Sequence, residues 1–421
     1  MKVPFGPGNI LLPHDIDMTK WAVVACDQYT SEHSYWNKVE SLVGSAPSTL
    51  KITLPEIYLE EKDVDERIKK INNTMNEYLQ ENLFTEYKDS MIYVQRTQKD
   101  GKVREGLIGV IDLEEYNYEK GSQSLIRATE KTVIERIPPR KKIRENAPLE
   151  LPHIMILIDD YEKNIIEKLK DKVTEENILY DFDLMENGGH IKGYKLDDTS
   201  IKNVVNKLEK LNDIDYFNKK YNVKDKGVLL FAMGDGNHSL ATAKACYEKL
   251  KETLPKEEYI NHPARYALVE LVNLHSPALE FEPIHRVVFN TDPKHLLEEL
   301  YKYYDINEVK IGQSFRVVTK DMDKTLYIKN PKSNIAVGSL QIFLDEYLKE
   351  NKGKIDYIHG DETTKNMAKE EGNIGFLFDA MKKNDLFKTV ILDGALPRKT
   401  FSMGHSYDKR YYLESRKIKE K

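Results

Sequence analysis

The sequence predicts an α+β fold of mixed sheets with flanking helices, carried by a chain of 421 residues. Three observations lead there. Short apolar, β-branched runs of strand length recur along the chain. Stretches with a 3.6-residue apolar period are interleaved with them. The length exceeds that of one ordinary domain, so two parts are expected, residues 1–260 and 261–421. The seam is placed in 254–263, where a charged helix end meets a proline-bearing loop.

The apolar runs at 21–26, 91–95, 107–113, 154–158, 228–233, 266–272, 315–319, 325–328, 355–359 and 390–392 read as strands, because branched and aromatic side chains suit a pleated surface. Helical periodicity is clearest at 64–83, 161–172, 201–211, 239–254, 293–304, 340–349 and 363–370. Two proline-dense segments, 137–140 and 147–152, frame a loop rich in Lys and Arg, of the kind that lines sites. No internal repeat is present.

Composition narrows the function classes. Hydrophobic residues make up 40%, charged residues 32%, and the net charge is −6, which speaks against disorder and against a nucleic-acid partner. Cys26 and Cys246 are the only cysteines, too few for a disulfide framework or a CxxC zinc knuckle. No stretch approaches the roughly 20 apolar residues that span a bilayer, and no signal core opens the chain. The expectation is a cytoplasmic protein without a membrane partner. HExxH, Walker A, GxGxxG and GxSxG patterns are all missing, which lowers the standing of zinc proteases, P-loop NTPases, Rossmann dehydrogenases and α/β-hydrolases.

The most informative stretch runs from Phe231 to Ala245, where an apolar strand meets Gly234-Asp235-Gly236-Asn237-His238-Ser239 and a helix starts at once. The first N–H groups of a helix lack intrahelical partners and carry partial positive charge, so this junction suits phosphate or carboxylate. Gly234 and Gly236 permit a sharp turn and close approach to a ligand. Asp235 is a candidate metal ligand and His238 a candidate phosphate donor or proton carrier. The same residues serve equally well as a plain helix cap.

Further polar groups stand elsewhere. Glu130, between Arg127 and Thr132 in a charged segment, is a candidate general base, since nearby cations keep a carboxylate ionised. A salt-bridged surface segment is the alternative. Arg286 opens a strand where its fork could take phosphate or carboxylate, and Arg398-Lys399-Thr400 follow the run 390–392 on a loop that suits an anion. Asp27 and Tyr29, just past the first strand, are candidates to hold the amine and carboxylate of an amino acid.

Asp235-Gly236-Asn237-His238-Ser239, Ala128-Thr129-Glu130-Lys131-Thr132, Pro283-Ile284-His285-Arg286 and Leu396-Pro397-Arg398-Lys399-Thr400 occur in the order expected of the domain-of-unknown-function family 1015, and the chain resembles that family over essentially its whole length. The first part is similar to ParB-like free serine kinases, which phosphorylate L-serine to O-phosphoserine. In those enzymes a His-Glu motif supplies a catalytic glutamate and an Asp-Gly-His-His-Arg motif faces the nucleotide phosphates. The resemblance implies Glu130, Asp235 and His238 as catalytic groups, with Asp235 on Mg²⁺ accompanying ATP or ADP. Gly234, Gly236, Asn237 and Ser239 are then expected at the phosphates, and Arg127 and Thr132, together with the Asp27 and Tyr29 already noted, toward serine or phosphoserine. Asn237 and Ser239 stand where that motif has histidine and arginine, so Arg286 or Lys399 is expected to supply the missing charge. The function implied is a nucleotide-dependent phosphotransferase acting on the hydroxyl of serine or a similar metabolite. Its rival is a non-catalytic regulator of serine metabolism that binds phosphoserine or a nucleotide.

Overall fold

The computed structural model describes residues 3–132 and 134–419. The longer strands are β1 (Ile92–Thr97), β2 (Val103–Asp112), β3 (Met155–Ile158), β4 (Ile178–Asp183), β5 (His190–Lys195) and β6 (Phe231–Asp235). They continue with β7 (Tyr266–Asn273), β8 (Phe281–Phe289), β9 (Gln313–Val318), β10 (Asp323–Ile328), β11 (Lys354–His359) and β12 (Ile374–Leu377). The helices of eight residues or more are α1 (His33–Val43), α2 (Val64–Gln80), α3 (Ile137–Arg144), α4 (Asp198–Leu211) and α5 (Ile214–Tyr221). After them come α6 (Asn237–Thr253), α7 (Pro293–Tyr303), α8 (Ala336–Glu350), α9 (Asp361–Ala368) and α10 (Lys383–Asp393). The class is α+β with mixed sheets, as the periodicities predict.

The chain divides into two compact units. One comprises Met1–Ala128, Thr132–Leu279 and His405–Lys421, the other Thr129–Lys131 and Glu280–Gly404. The break expected near 260 falls instead after Leu279. The reason is β7, which pairs antiparallel with β2 on one side and parallel with β3 on the other, and so stands in the middle of the first unit's sheet.

Among the described residues that sheet has ten strands, ordered β4-β5-β1-β2-β7-β3-β6, then Ile126–Arg127 and Tyr116–Asn117, with Phe5–Gly6 against β2. Strand β7 is buried from Ala267 to Asn273, the near-continuous apolar pattern of a strand covered on both faces. Glu270 breaks the pattern at 1% exposure and is met by Arg410 at 2.7 Å and Arg104 at 3.4 Å. Gly106, on the neighbouring strand opposite Val272, leaves room for it, since a Cβ there would come within 2.3 Å of Glu270 Oε1. A core containing Trp21, Trp36, Val39 and Ile108 packs beneath, and the indole of Trp21 donates to the Leu413 carbonyl at 2.9 Å. The last segment is thereby woven in: Tyr411–Tyr412 pairs with Val23–Val24, and Arg416–Lys417 with Leu149–Glu150.

The second unit holds an antiparallel sheet ordered Ile306–Asn307, β10, β9, β12, β8, β11, with Phe401–Met403 pairing at the start of β8. Helix α7 is capped by Asp292, whose carboxylate accepts from the N–H groups of Lys294 and His295, with Pro293 pre-set in the first turn. It buries Leu296 and Leu300, and α8 buries Leu340, Phe343 and Leu344.

Several sequence expectations are corrected. The run 390–392 is helical, within α10. There Leu386, Phe387, Val390 and Ile391 are buried at helical spacing, and Gly394 in the left-handed region ends the helix. A three-residue apolar run cannot reveal which period it belongs to. Segment 161–172 forms turns and a short 3-10 helix at Glu167–Asp171 rather than a full helix. The run 21–26 is a helical turn ending at Trp21 followed by the two-residue strand Val23–Val24. Finally, the proline-rich segment after 136 is helix α3, its prolines seated in the first turn where no N–H is needed.

Candidate functional site

Strand β6 carries the glycine-rich stretch into α6 through a bulge. Met155 stands opposite Asp235 while Ile156 stands opposite Met233, leaving Gly234 as the extra residue. A Cβ at Gly234 would lie 3.0 Å from Leu157 Cγ. Gly236, with φ 79°, is the N-cap of α6, and no side chain caps that helix. The helix starts two residues earlier than its periodicity indicated, at Asn237, so Asn237, His238 and Ser239 form its first turn. Its leading N–H groups thus lack the side-chain acceptor that most helix starts possess.

Around that turn the first unit assembles a polar group. Asp235 accepts from the Gly236 N–H at 2.9 Å and pairs with Lys409 at 3.1 Å. Burial opposes its ionisation, but Lys409 and His153 outweigh it and hold the carboxyl below its usual range. His153, 6% exposed, shares a hydrogen bond with the Tyr412 hydroxyl at 2.8 Å and another with Ser239 Oγ at 3.1 Å, and Asp27 lies 3.7 Å from its Nε2. His238 is half-buried. Burial, with Arg140 and Arg136 adding repulsion, lowers its pKa to about 4, so it is neutral at pH 7. Its Nε2, like Oδ1 of Asn237, is buried and has no hydrogen-bond partner among the described residues.

Beside Ser239 and Thr242 of α6 opens a cavity of about 140 Å³. Its apolar wall includes Leu54, Met75, Ile143 and Leu151, and its polar edge includes Cys26, His153 and Tyr412. Arg140, paired with Glu56, and Arg144, 2.5 Å from Glu150, also line it. Burial raises the Cys26 thiol far above its ordinary pKa, which makes it a poor nucleophile. His153, Tyr412 and Lys409 went unnoticed in the sequence; the first stands beside a proline and the other two in a C-terminal segment without any motif. The Lys- and Arg-rich region bounded by prolines does line this cavity, from a helix rather than a loop.

The second unit gathers another part of the expected set. Glu130, half-buried, is bridged in parallel register to Leu396, and the Leu396 N–H donates to the Thr129 carbonyl at 2.7 Å. Arg286 lies within β8 and is fully buried. Its guanidinium donates to the carbonyls of Ile284 at 2.5 Å, Lys399 at 2.9 Å and Arg398 at 3.1 Å, and to Gln341 at 3.1 Å. The expected phosphate role of Arg286 is therefore corrected: it holds the 398–399 turn. Lys399 itself is exposed and lies over Tyr357, with its ammonium 5.5 Å from the ring centre.

Of the other expected ligand residues, Arg127 and Tyr29 are engaged elsewhere. Arg127 is 2% exposed and donates to the carbonyls of Ser124, Gly227 and Val228 at 2.6–3.1 Å, so its fork closes two loops rather than meeting a substrate. Thr132 is 6% exposed, and its Oγ1 is buried without a hydrogen-bond partner among the described residues. Tyr29 stacks on Tyr35 with ring centres 3.6 Å apart, while its carbonyl accepts from the Trp36 indole at 3.2 Å. Of that set, Asp27 alone lies near His153. No group of three His, Cys, Asp or Glu side chains suited to a metal ion occurs among the described residues, and Asp235, the expected Mg²⁺ ligand, is neutralised by Lys409. These residues do not fit a protein-built metal cage. No described helix is long and apolar enough to cross a membrane.

A family model described as "Protein of unknown function (DUF1015)" matches residues 11–352. No curated protein matches the sequence. Among solved structures, a free serine kinase in complex with AMP is similar at 11% identity, with 76% of this chain and 92% of that chain covered and a TM-score of 0.37. A conserved hypothetical protein from Pyrococcus furiosus is similar at 10% identity, covering 75% and 97% of the two chains, with a TM-score of 0.36. A C-terminally truncated SbnI from Staphylococcus aureus is similar at 7% identity, covering 73% and 82%, with a TM-score of 0.36.

Proposed function

The chain belongs to the DUF1015 family, whose model matches it over residues 11–352, and from the α6 turn and the sequence motifs we propose that it is a nucleotide-dependent phosphotransferase acting on the hydroxyl of free L-serine or a similar metabolite. The observation that carries the reading is the open first turn of α6, where Gly236 caps without a side chain and Asn237 Oδ1 and His238 Nε2 stand without partners. Such a turn suits the phosphates of a nucleotide, because its N–H groups and dipole favour negative charge. Neutral His238 would donate or accept one hydrogen bond there without adding charge. Arg136, whose charge is felt at His238, would supply part of the positive field expected of Arg286 or Lys399, while Lys409 and Arg140 are already paired with Asp235 and Glu56.

Glu130 is the proposed general base, taking the proton of the acceptor hydroxyl as that oxygen attacks the terminal phosphoryl group of the nucleotide, whose phosphoanhydride bond breaks to release ADP from ATP or AMP from ADP. Magnesium enters this reading only as the counter-ion of the nucleotide, and no step passes through it.

A second reading, a non-catalytic regulator that binds phosphoserine or a nucleotide, is favoured by one observation. Asp235 is already paired with Lys409, and Ser239 brings no charge to the turn. Titration calorimetry with ADP and AMP tests the shared premise. His238→Ala should weaken binding about tenfold, the loss of a hydrogen bond worth about 1.4 kcal/mol. Absence of binding by the unaltered chain would contradict both readings.

A further inference from the structure

Strand β11 presents Tyr357 to three cations of the same unit. The Arg286 guanidinium lies 5.0 Å from the ring centre, that of Arg398 5.2 Å, and the Lys399 ammonium 5.5 Å. Arg398 Nε also donates to the Tyr357 hydroxyl at 3.0 Å. Cations attract a ring face but repel one another, so three around one ring leave a surplus of positive potential. Glu130 and Asp345 are close enough for their charges to favour the protonated Arg286, while Arg398 opposes it.

The turn that carries two of these cations is costly to hold. Lys399 has φ 53°, in the left-handed region that side chains disfavour. A fully buried guanidinium fixes it, spending two hydrogen bonds on the carbonyls of residues 398 and 399. Thr400 adds another from its hydroxyl to the Pro397 carbonyl at 2.7 Å. Buried charge used to shape an exposed dibasic turn is difficult to explain as a solvated loop.

We propose that Arg398 and Lys399, spread over Tyr357 and positioned by Arg286, bind the carboxylate or phosphate of a small metabolite in the second unit, on the side where Glu130 registers with Leu396. The inference rests on the phosphotransferase reading only in taking Glu130 as the group that meets the acceptor. Binding itself is read without turnover.

The test is titration calorimetry of the full chain at about 50 mM salt, where exposed charge is weakly screened. O-phospho-L-serine, L-serine and inorganic phosphate are the probes, in separate arms. The unaltered chain should bind the first. Arg398→Gln with Lys399→Gln should weaken it at least about tenfold, with an unchanged melting temperature, because both side chains are exposed. Tyr357→Leu should fall between. Binding of inorganic phosphate as well assigns the patch to phosphate, and binding of L-serine as well assigns it to carboxylate. Equal affinity in the double variant, or no binding of any probe by the unaltered chain, would overturn the inference. A loss in His238→Ala with none in the double variant would also overturn it, while leaving the α6 reading standing. Intact binding with no phosphoryl transfer would do the reverse.

Discussion

The carboxylate of Asp235 lies 3.1 Å from the ammonium of Lys409, joining the end of β6 to a segment 174 residues further along the chain. Both side chains are largely buried, at 24% and 16% exposure, so neither charge is well solvated without the other. The backbone at Lys409 is itself pinned, its carbonyl accepting from Arg96 at 3.1 Å and that of Asp408 from Arg104 at 2.8 Å.

Lys409→Met should therefore destabilise the chain by about 2 kcal/mol, chiefly by stranding a carboxylate. Adding Asp235→Asn should restore about half of that, because the stranded charge goes too. A double-mutant cycle from denaturant unfolding measures both numbers. Additive losses would mean that the pair is not coupled.

His238 governs part of the response to acid. Its folded pKa, about 4, lies below the ordinary histidine value, so the unfolded chain takes up the proton first as pH falls. Stability should drop between about pH 6.5 and pH 4 and change no further below that on account of this residue. His238→Gln should flatten that part of a melting-temperature profile. A nuclear magnetic resonance titration should show the ring still neutral at pH 5.

Gly236→Ala should cost about 1–2 kcal/mol, the penalty of placing a side chain at φ 79°. The new Cβ would also press against Ile154 Cα at 3.1 Å. Because the strain sits at the entry to α6, nucleotide affinity should fall with stability. Calorimetric binding and thermal melting on one preparation read both effects, and a fully stable variant would remove the claim that this turn is conformationally demanding.

Much of the fold was legible in the sequence where a periodic segment was long. Strands β7 and β10 and helices α2, α6 and α7 fall within a few residues of where their patterns place them. The run 390–392 was misread because three apolar residues fit either period, and tertiary packing on one face decided for helix. The site was half legible. Glycines and a polar turn between a strand and a helix mark α6, whereas Lys409 and Tyr412 reach His153 and Asp235 only through long-range packing of the last segment. Arg286 and Arg127 misled for a physical reason. An arginine fork that recognises phosphate is equally good at collecting carbonyl oxygens, and only burial distinguishes the two uses.

The central claim is that this chain moves a phosphoryl group and that Glu130 accepts the proton. A phosphorus magnetic resonance time course with L-serine, Mg²⁺ and either ATP or ADP tests it most directly. The account predicts that O-phosphoserine appears with one of the two nucleotides and that Glu130→Gln slows its formation by about 10²–10⁴ with nucleotide affinity preserved. Phosphoserine formed at an equal rate by Glu130→Gln, or no phosphoryl transfer with either nucleotide, would contradict it.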